Sequence, residues 1–338
     1  MILIISTPDD PHAVAVQREL DQIDYPYFLL DTSRFPQSIS LTIIQDGDKR
    51  LVTFADKNGI ILNAQEITAA WWRRPQHCVV ADTIKKESYR NFARNEAEEA
   101  IAGLWYSLDI PWVNHPKSDD MAHRKVNQLN TARTLGIRLP VTCITNDPHE
   151  AKKFIEARLP GQTICKAFSA TIDQWRETRI IGEMEMAALE NVCFAPVIFQ
   201  EYVEAVYDLR ITAIGNQLFP AAIYPGEKAY AADVRMDIRN ARMEAVELPQ
   251  KFGDQLLALQ RKMGLNYGAI DVRLTPDGEY VFLEVNPAGQ WLFIEERTKQ
   301  PIARALADFL VKEAIAYRLK NASKEPVDTI LEEMPLTG

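Results

Sequence analysis

The stretch "GAIDVRLTPDGEYVFLEVNP" (268–287) decides how this chain folds. Asp271 and Arg273 alternate with apolar neighbours, so they share one face of a strand. Glu284 and Asn286 share one face of the next run in the same way. Pro276-Asp277-Gly278 between them is turn chemistry, which makes the pair a hairpin. If the two strands pair through that turn, Asp271, Glu284 and Asn286 converge as an all-oxygen cluster. That donor set suits Mg²⁺ or Mn²⁺. Mg²⁺ takes few protein ligands and completes its shell with phosphate and water, so the pattern predicts a nucleotide phosphate above the hairpin. Taken alone, the same acids also fit a solvated edge hairpin.

Phosphate binding needs cationic donors. The chain has no G-x-x-x-x-G-K-[ST] loop, so side chains must supply them. Lys125, early in a helical run, and Lys166, which interrupts the apolar "TICKAF", are the candidates. Either lysine alone also reads as a snorkelling surface residue. Arg210 in "DLRIT" is a charge on an apolar strand, open to an ion pair with Asp208 or Glu201. No nucleophile elbow occurs. The five histidines (12, 77, 115, 123, 149) are isolated, and none has metal-ligand spacing.

Around this centre the chain alternates strand and helix patterns. "MILIIS" and "YFLLDT" flank a helix that Asp9 or Asp10 caps and Pro11 opens. "SLTIIQDGDKRLVTF" reads as a hairpin, and "AAWWRRP" as a strand ending at Pro75. Residues 87–108 carry an apolar stripe through Phe92, Ala97, Ala100, Ile101, Leu104, Trp105 and Leu108. "DDMAHRKVNQLNTARTL" reads as one helix closed by Gly136, and the lobe boundary falls near residue 120. "EMEMAALE" (183–190) is a short acidic helix. Pro301 opens a final amphipathic helix, and the tail from about 320 is polar. Of 338 residues, 47% are apolar, and 47 acids against 38 bases leave a net charge of −9, which excludes nucleic acid as the main partner. No apolar run reaches the ~18 residues that span a bilayer, so no membrane partner is expected. The four scattered cysteines (78, 143, 165, 193) fit buried thiols in a reducing compartment, so the expected location is the cytoplasm.

The order Lys125, Lys166, "FQEYV" (199–203), "DLR" (208–210) and the 268–287 hairpin resembles the ATP-grasp carboxylate–amine ligases. "DTSRFP" (31–36), "WWRRP" (71–75), "WVNHP" (112–116), "DVR" (233–235) and "PAGQW" (287–291) narrow the resemblance to the graspetide synthetases, which make microviridin-type peptides. It implies an α/β (α+β) ATP-grasp fold behind an N-terminal α/β pre-ATP-grasp lobe. The expected parts are that lobe at 1–120 and a central lobe with lid and leader-binding helix at 121–198. A C-terminal lobe with adenine hinge and metal site follows at 199–320, then a polar tail at 321–338.

The roles that the resemblance implies are these. Lys125 and Lys166 contact the phosphates of ATP. Gln200, Glu201, Tyr202 and Val203 form the adenine hinge, with Glu204 or Asp208 reaching the ribose. Arg210 faces the γ-phosphate. Asp271, Glu284 and Asn286 hold two Mg²⁺ ions, with Mn²⁺ the other candidate. Arg235 and Arg273 grip the substrate carboxylate or acyl phosphate. Glu183, Glu185 and Glu190 dock a basic leader segment, although a solvated helix face accounts for them equally well. The segment 167–175 departs from the family in having no glycine. The implied activity is ATP-dependent macrocyclisation of a ribosomal precursor peptide with a leader and a Thr/Ser/Asp/Glu-rich core. Asp/Glu carboxylates become acyl phosphates and are joined to Ser/Thr hydroxyls or Lys amines. Family members pair as dimers, so a homodimer is among the expected assemblies. The competing readings are a RimK-like ligase that adds an amino acid, and a non-catalytic peptide-binding module.

Overall fold

Four consecutive aliphatics, Ile2–Ile5, form β1, and all four are fully buried. A strand apolar on both faces belongs in the interior of a parallel sheet, and β1 lies there. In the computed structural model, which describes residues 1–168, 178–224 and 241–322, β1 pairs in parallel with β2 (Tyr27–Leu30) and β6 (Ala69–Trp72). β7 (Trp112–Val113) completes the order β2-β1-β6-β7. Helix α1 (Pro11–Gln22) connects β1 to β2. Asp10 caps it, its carboxylate accepting from the His12 N–H at 3.1 Å, with Pro11 in the first turn.

The expected hairpin is present as β3 (Ser40–Asp46) and β4 (Lys49–Asp56), and β5 (Gly59–Asn63) extends it to three strands. Helix α2 (Glu87–Ser107) buries Ala97, Ile101, Leu104 and Trp105, the last stacked on Phe54 at 6.1 Å between centroids. The expected stripe is too wide at its start: Phe92 is 65% exposed, so the helix meets the core only from Ala97 onward.

The second unit opens with a correction. The expected single helix is two, α3 (Pro116–His123) and α4 (Lys125–Thr134). Arg124 breaks it, with ψ at 102°. Four antiparallel strands follow: β8 (Thr142–Thr145), β9 (Thr163–Lys166), β10 (Arg179–Ile180) and β11 (Val197–Glu201), ordered β10-β9-β11-β8. Helix α5 (Pro148–Glu156) packs against this sheet. The acidic helix is shorter than expected: α6 (Glu183–Ala187) gives way to a 3₁₀ segment at Leu189–Phe194.

The larger sheet has β12 (Tyr207–Ile214), β13 (Gln217–Tyr224), β14 (Arg242–Ala245), β15 (Tyr267–Leu274) and β16 (Tyr280–Asn286), ordered β14-β13-β12-β15-β16. One face carries Leu209, Ile211, Ile270, Val272, Phe282 and Val285 onto Leu256 and Leu259 of α7 (Gln250–Lys262). Full burial of each such side chain contributes roughly 1.5–3 kcal/mol. After α8 (Leu292–Thr298) the last helix, α9 (Ile302–Asn321), joins the first unit from Ala303, with Arg304 3.8 Å from Glu19. The two compact units are therefore Met1–Pro116 with Ala303 onward, and Lys117–Ile302. Among the described residues, no helix is long and apolar enough to cross a membrane. Arg235 and the rest of "DVR" (233–235), residues 169–175 of the glycine-free segment and the tail beyond 322 lie outside the described residues.

Candidate active site

The polar face of the larger sheet is organised by two tripeptides of one pattern. Asp208-Leu209-Arg210 on β12 runs antiparallel to Asp271-Val272-Arg273 on β15, in a register that opposes Arg210 to Asp271 and Asp208 to Arg273. Each acid thus meets the other strand's arginine. Arg210 Nη1 donates to Asp271 Oδ1 at 2.6 Å. Arg273 Nε donates to Asp208 Oδ1 at 2.9 Å.

The two pairs serve different neighbours. Arg273 is 7% exposed and also donates to the Val203 carbonyl at 2.8 Å, beneath the Tyr202 ring. It braces the segment after β11. Arg210 Nη2 donates to the Gln290 carbonyl at 3.1 Å, and its Nε is buried with no hydrogen-bond partner among the described residues. Burial alone would lower the Arg210 pKa. The Asp271 carboxylate more than reverses this, so the guanidinium is held charged.

Across the hairpin, Asp271 lies opposite Glu284, and Ala269 opposite Asn286. A regular ladder would not do this. From Val272↔Phe282 the next regular pair would be Asp271 with Leu283, which would put Glu284 on the far face. The register shifts between Asp271 and Val272, leaving Leu283 as the extra residue of a β-bulge. The bulge lets Phe282 and Val285 both enter the apolar core while Glu284 turns to the polar face.

Lys125, at the start of α4, is ion-paired with Glu284. One turn further, the buried Gln128 fixes this helix to the edge strand. Its Nε2 donates to the Val285 carbonyl at 2.8 Å, and its Oε1 accepts from the Val285 N–H at 3.0 Å. Asn286 Oδ1 accepts from the Ala288 N–H at 3.0 Å and starts the "PAG" turn. Gly289 is required there, because a Cβ would fall 2.3 Å from Ala269 Cβ. Its carbonyl accepts from Tyr267 Oη at 2.7 Å. Gln128 and Tyr267 carry no alternation signal and were not among the expected site residues. Gln128's place three residues after Lys125 on one helix was the available clue.

On the smaller sheet, Lys166 lies opposite Ile198 in the β9–β11 ladder. Gln200 is buried and donates to Thr142 Oγ1 at 2.9 Å. Glu201 Oε2 accepts from the Val141 N–H at 3.1 Å, and the Tyr202 N–H donates to the Gln162 carbonyl at 2.9 Å. Glu204 is exposed. Of the acids expected to dock a leader, Glu183 and Glu190 are exposed, while Glu185 accepts from the Gly182 N–H at 3.1 Å and so caps its own helix.

The structure thus brings Lys125, Arg210, Asp271, Glu284 and Asn286 onto one face, and commits Asp208 and Arg273 to each other. No three His, Cys, Asp or Glu side chains cluster as a metal site among the described residues. The oxygen donors of this face are two carboxylates and one amide.

Comparison with known proteins agrees with this architecture. Residues 1–120 match the model of the MvdD pre-ATP grasp domain, and 122–310 that of the RimK-like ATP-grasp domain. The macrocyclase MdnC of Microcystis aeruginosa MRC, bound with precursor peptide MdnA, superposes with a TM-score of 0.82 at 30% identity, over 92% of this chain and 99% of that one. A Chryseobacterium gregarium RiPP-associated ATP-grasp ligase, in complex with ADP and a leader and core peptide, gives 0.84 at 25% identity, over 92% and 96%. A probable alpha-L-glutamate ligase 2 of Shewanella baltica is 25% identical over 225 residues, 65% of this chain and 73% of that protein. Fold and sequence together define an ATP-grasp ligase. Within that class, the chain belongs to the RimK-like ATP-grasp ligases and to their graspetide synthetase branch.

Proposed function

We propose that this ligase is an ATP-dependent peptide macrocyclase acting on a ribosomally made precursor peptide. The observation that carries the reading is the interleaving of two cations, Lys125 and Arg210, with Glu284 and Asp271 on one face of the β15–β16 hairpin. Such a face is complementary to a metal–phosphate pair: the cations hold phosphate oxygens and the acids hold the metal. The family-wide ligand is ATP with Mg²⁺, and the residues fit both. Asp271, Glu284 and Asn286 offer only oxygen donors, which suits two Mg²⁺ ions, with Mn²⁺ as a substitute. The buried Arg210 Nε, which has no hydrogen-bond partner among the described residues, is a donor still to be matched. Mg²⁺, when bound, neutralises negative charge on the phosphates.

The chain's own residues then do the following. Lys125 and Lys166 hold the α- and β-phosphates. Arg210 faces the γ-phosphate and stabilises the charge that develops there. Gln200 to Val203 hold the adenine, and Arg273 with Asp208 keeps that hinge rigid instead of gripping substrate. Glu204 is the better placed acid for the ribose, since Asp208 is already bound. A peptide carboxylate oxygen attacks the γ-phosphorus, the bond to ADP breaks, and an acyl phosphate forms. A Ser/Thr hydroxyl or Lys amine attacks the acyl carbon. Phosphate leaves, and the attacking group loses its proton, giving an ester or amide. The four free thiols suit the cytoplasm, where ATP is available.

The test is incubation with a peptide carrying a leader and a Thr/Ser/Asp/Glu-rich core, ATP and Mg²⁺, followed by mass spectrometry. Loss of one water per bond is the expected result. The glutamate ligase likeness sustains one other reading, addition of an amino acid to a carboxylate, which gives a mass gain instead.

A further inference from the structure

Three motifs of the branch, "DTSRFP", "WWRRP" and "WVNHP", have no part in the site above. In the first unit they converge. They follow β2, β6 and β7, so all three lie along the carboxyl edge of the sheet β2-β1-β6-β7. The chain leaves the interior strand β1 toward β2 on one side and returns to β6 on the other. The carboxyl ends of β1 and β6 are therefore a topological switch point, where open α/β sheets bind ligands in the crevice between diverging loops.

The two loops at this point are built around one buried ion pair. Arg73, 1% exposed, donates from Nε to Asp10 Oδ2 at 2.9 Å, and Ser6 Oγ donates to the same oxygen at 2.9 Å. The Arg73 and Arg74 N–H groups both donate to the Ile5 carbonyl, at 3.1 and 3.0 Å. The β2 loop is tied in by Thr32, whose Oγ1 donates to the Gln76 carbonyl at 2.7 Å and accepts from the Gln76 N–H at 2.8 Å. The backbone of Arg74 is fixed from the other side too, because Gln76 Nε2 donates to its carbonyl at 3.1 Å. Its side chain is exposed, and its guanidinium makes no ion pair or hydrogen bond among the described residues. An immobilised backbone carrying an uncommitted guanidinium suits bidentate capture of a carboxylate. Asp10 and Asp31 do not compete, the first being held by Arg73 and the second accepting from the Ser33 N–H at 2.9 Å. Asp9 is exposed on the same rim, so selectivity must rest on the directional fork of Arg74 and not on a positive field.

We infer that this edge is a carboxylate-binding face, at which Arg74 grips an Asp or Glu side chain of the peptide substrate. Arg73 is its positioning residue. The inference rests on the macrocyclase reading for the identity of the peptide, though not for the existence of the face.

The test uses the full chain and two short synthetic peptides, one of Thr, Ser, Asp and Glu, its twin with Asn and Gln in place of the acids. Fluorescence anisotropy of each labelled peptide is followed into the millimolar range. The acidic peptide is expected to bind about tenfold or more tighter than the twin, as for a charged hydrogen-bonded pair. Arg74→Gln should abolish that ratio, and Arg74→Lys should restore part of it. A ratio that survives Arg74→Gln, or equal binding of the two peptides to the unaltered chain, overturns the inference. Binding of a fluorescent ADP analogue is measured on the same samples and should not change in Arg74→Gln. Its absence from the unaltered chain would sink the nucleotide reading without touching the peptide ratio.

Discussion

At the scale of single residues, we assign the chemistry to the polar face of the β15–β16 hairpin, whereas the buried Asp10–Arg73 pair braces the first unit. Glu284→Gln and Asn286→Ala should each abolish product formation while leaving the circular dichroism spectrum and the unfolding midpoint nearly unchanged. Both side chains sit at the partly exposed polar face and not in the core. Full activity in either variant would remove the metal role. Asp10 behaves oppositely. Burial by itself would raise its pKa, but Arg73, Ser6 and the His12 N–H together hold it below the usual carboxylate value. A depressed pKa contributes stability that is present above the unfolded value, 3.8, and is lost as pH falls through the folded one. Asp10→Ala removes the carboxylate from a buried ion pair with Arg73, so it should cost up to about 3–5 kcal/mol at neutral pH. In denaturant titrations the gap between variant and parent should narrow only as the pH drops below about 4. A gap independent of pH would mean that packing, not charge, is what was lost. The acids of the hairpin were legible in the sequence because alternation exposes them. The partners of Asp208 and Arg273 were not, because which arginine meets which acid depends on a register that composition does not encode.

Elements show the same limit. Hairpin, turn and apolar alternation were all readable in 268–287, yet a regular hairpin would have sent Glu284 to the wrong face. The bulge at Leu283 is what reconciles the core demands of Phe282 and Val285 with the polar demand of Glu284. It follows no turn residue or glycine that would announce it. Likewise, the pattern over 119–135 carried no signal for the break at Arg124, which gives Lys125 its own helix start. The glycines of this hairpin separate local geometry from site geometry. Gly289→Ala drives a Cβ against a backbone-anchored Ala269 Cβ, so the turn must move and take the Gln290 carbonyl off Arg210. The expected outcome is about 1–3 kcal/mol of lost stability together with weaker nucleotide binding. Gly278→Ala meets nothing within 4 Å, but its φ of +83° strains any other residue. It should cost about 1 kcal/mol and leave nucleotide affinity intact. Calorimetric titration with ADP and Mg²⁺ distinguishes the two. Equal affinities in both variants would show that the Arg210–Gln290 contact is dispensable.

For the whole molecule, the decisive ambiguity is between joining two groups of one peptide and adding an amino acid to a carboxylate. The proposed phosphate-and-metal face cannot separate them, because acyl phosphate formation would need the same residues for either acceptor. The candidate separating features lie in the first unit: residues 1–120 match the MvdD pre-ATP grasp domain, and "WWRRP" and its companion motifs lie along one sheet edge there. The Shewanella baltica probable alpha-L-glutamate ligase 2 matches over 65% of this chain. A macrocyclase must hold its acceptor as part of the same peptide, so free glutamate should neither be incorporated nor compete. In a reaction with precursor peptide, ATP, Mg²⁺ and excess isotopically labelled glutamate, every product should lose one water per bond and carry no label. Phosphate release should match the number of bonds formed. Labelled glutamate in the product, with phosphate released in step with its addition, would instead place this chain functionally with the glutamate ligases despite its N-terminal lobe.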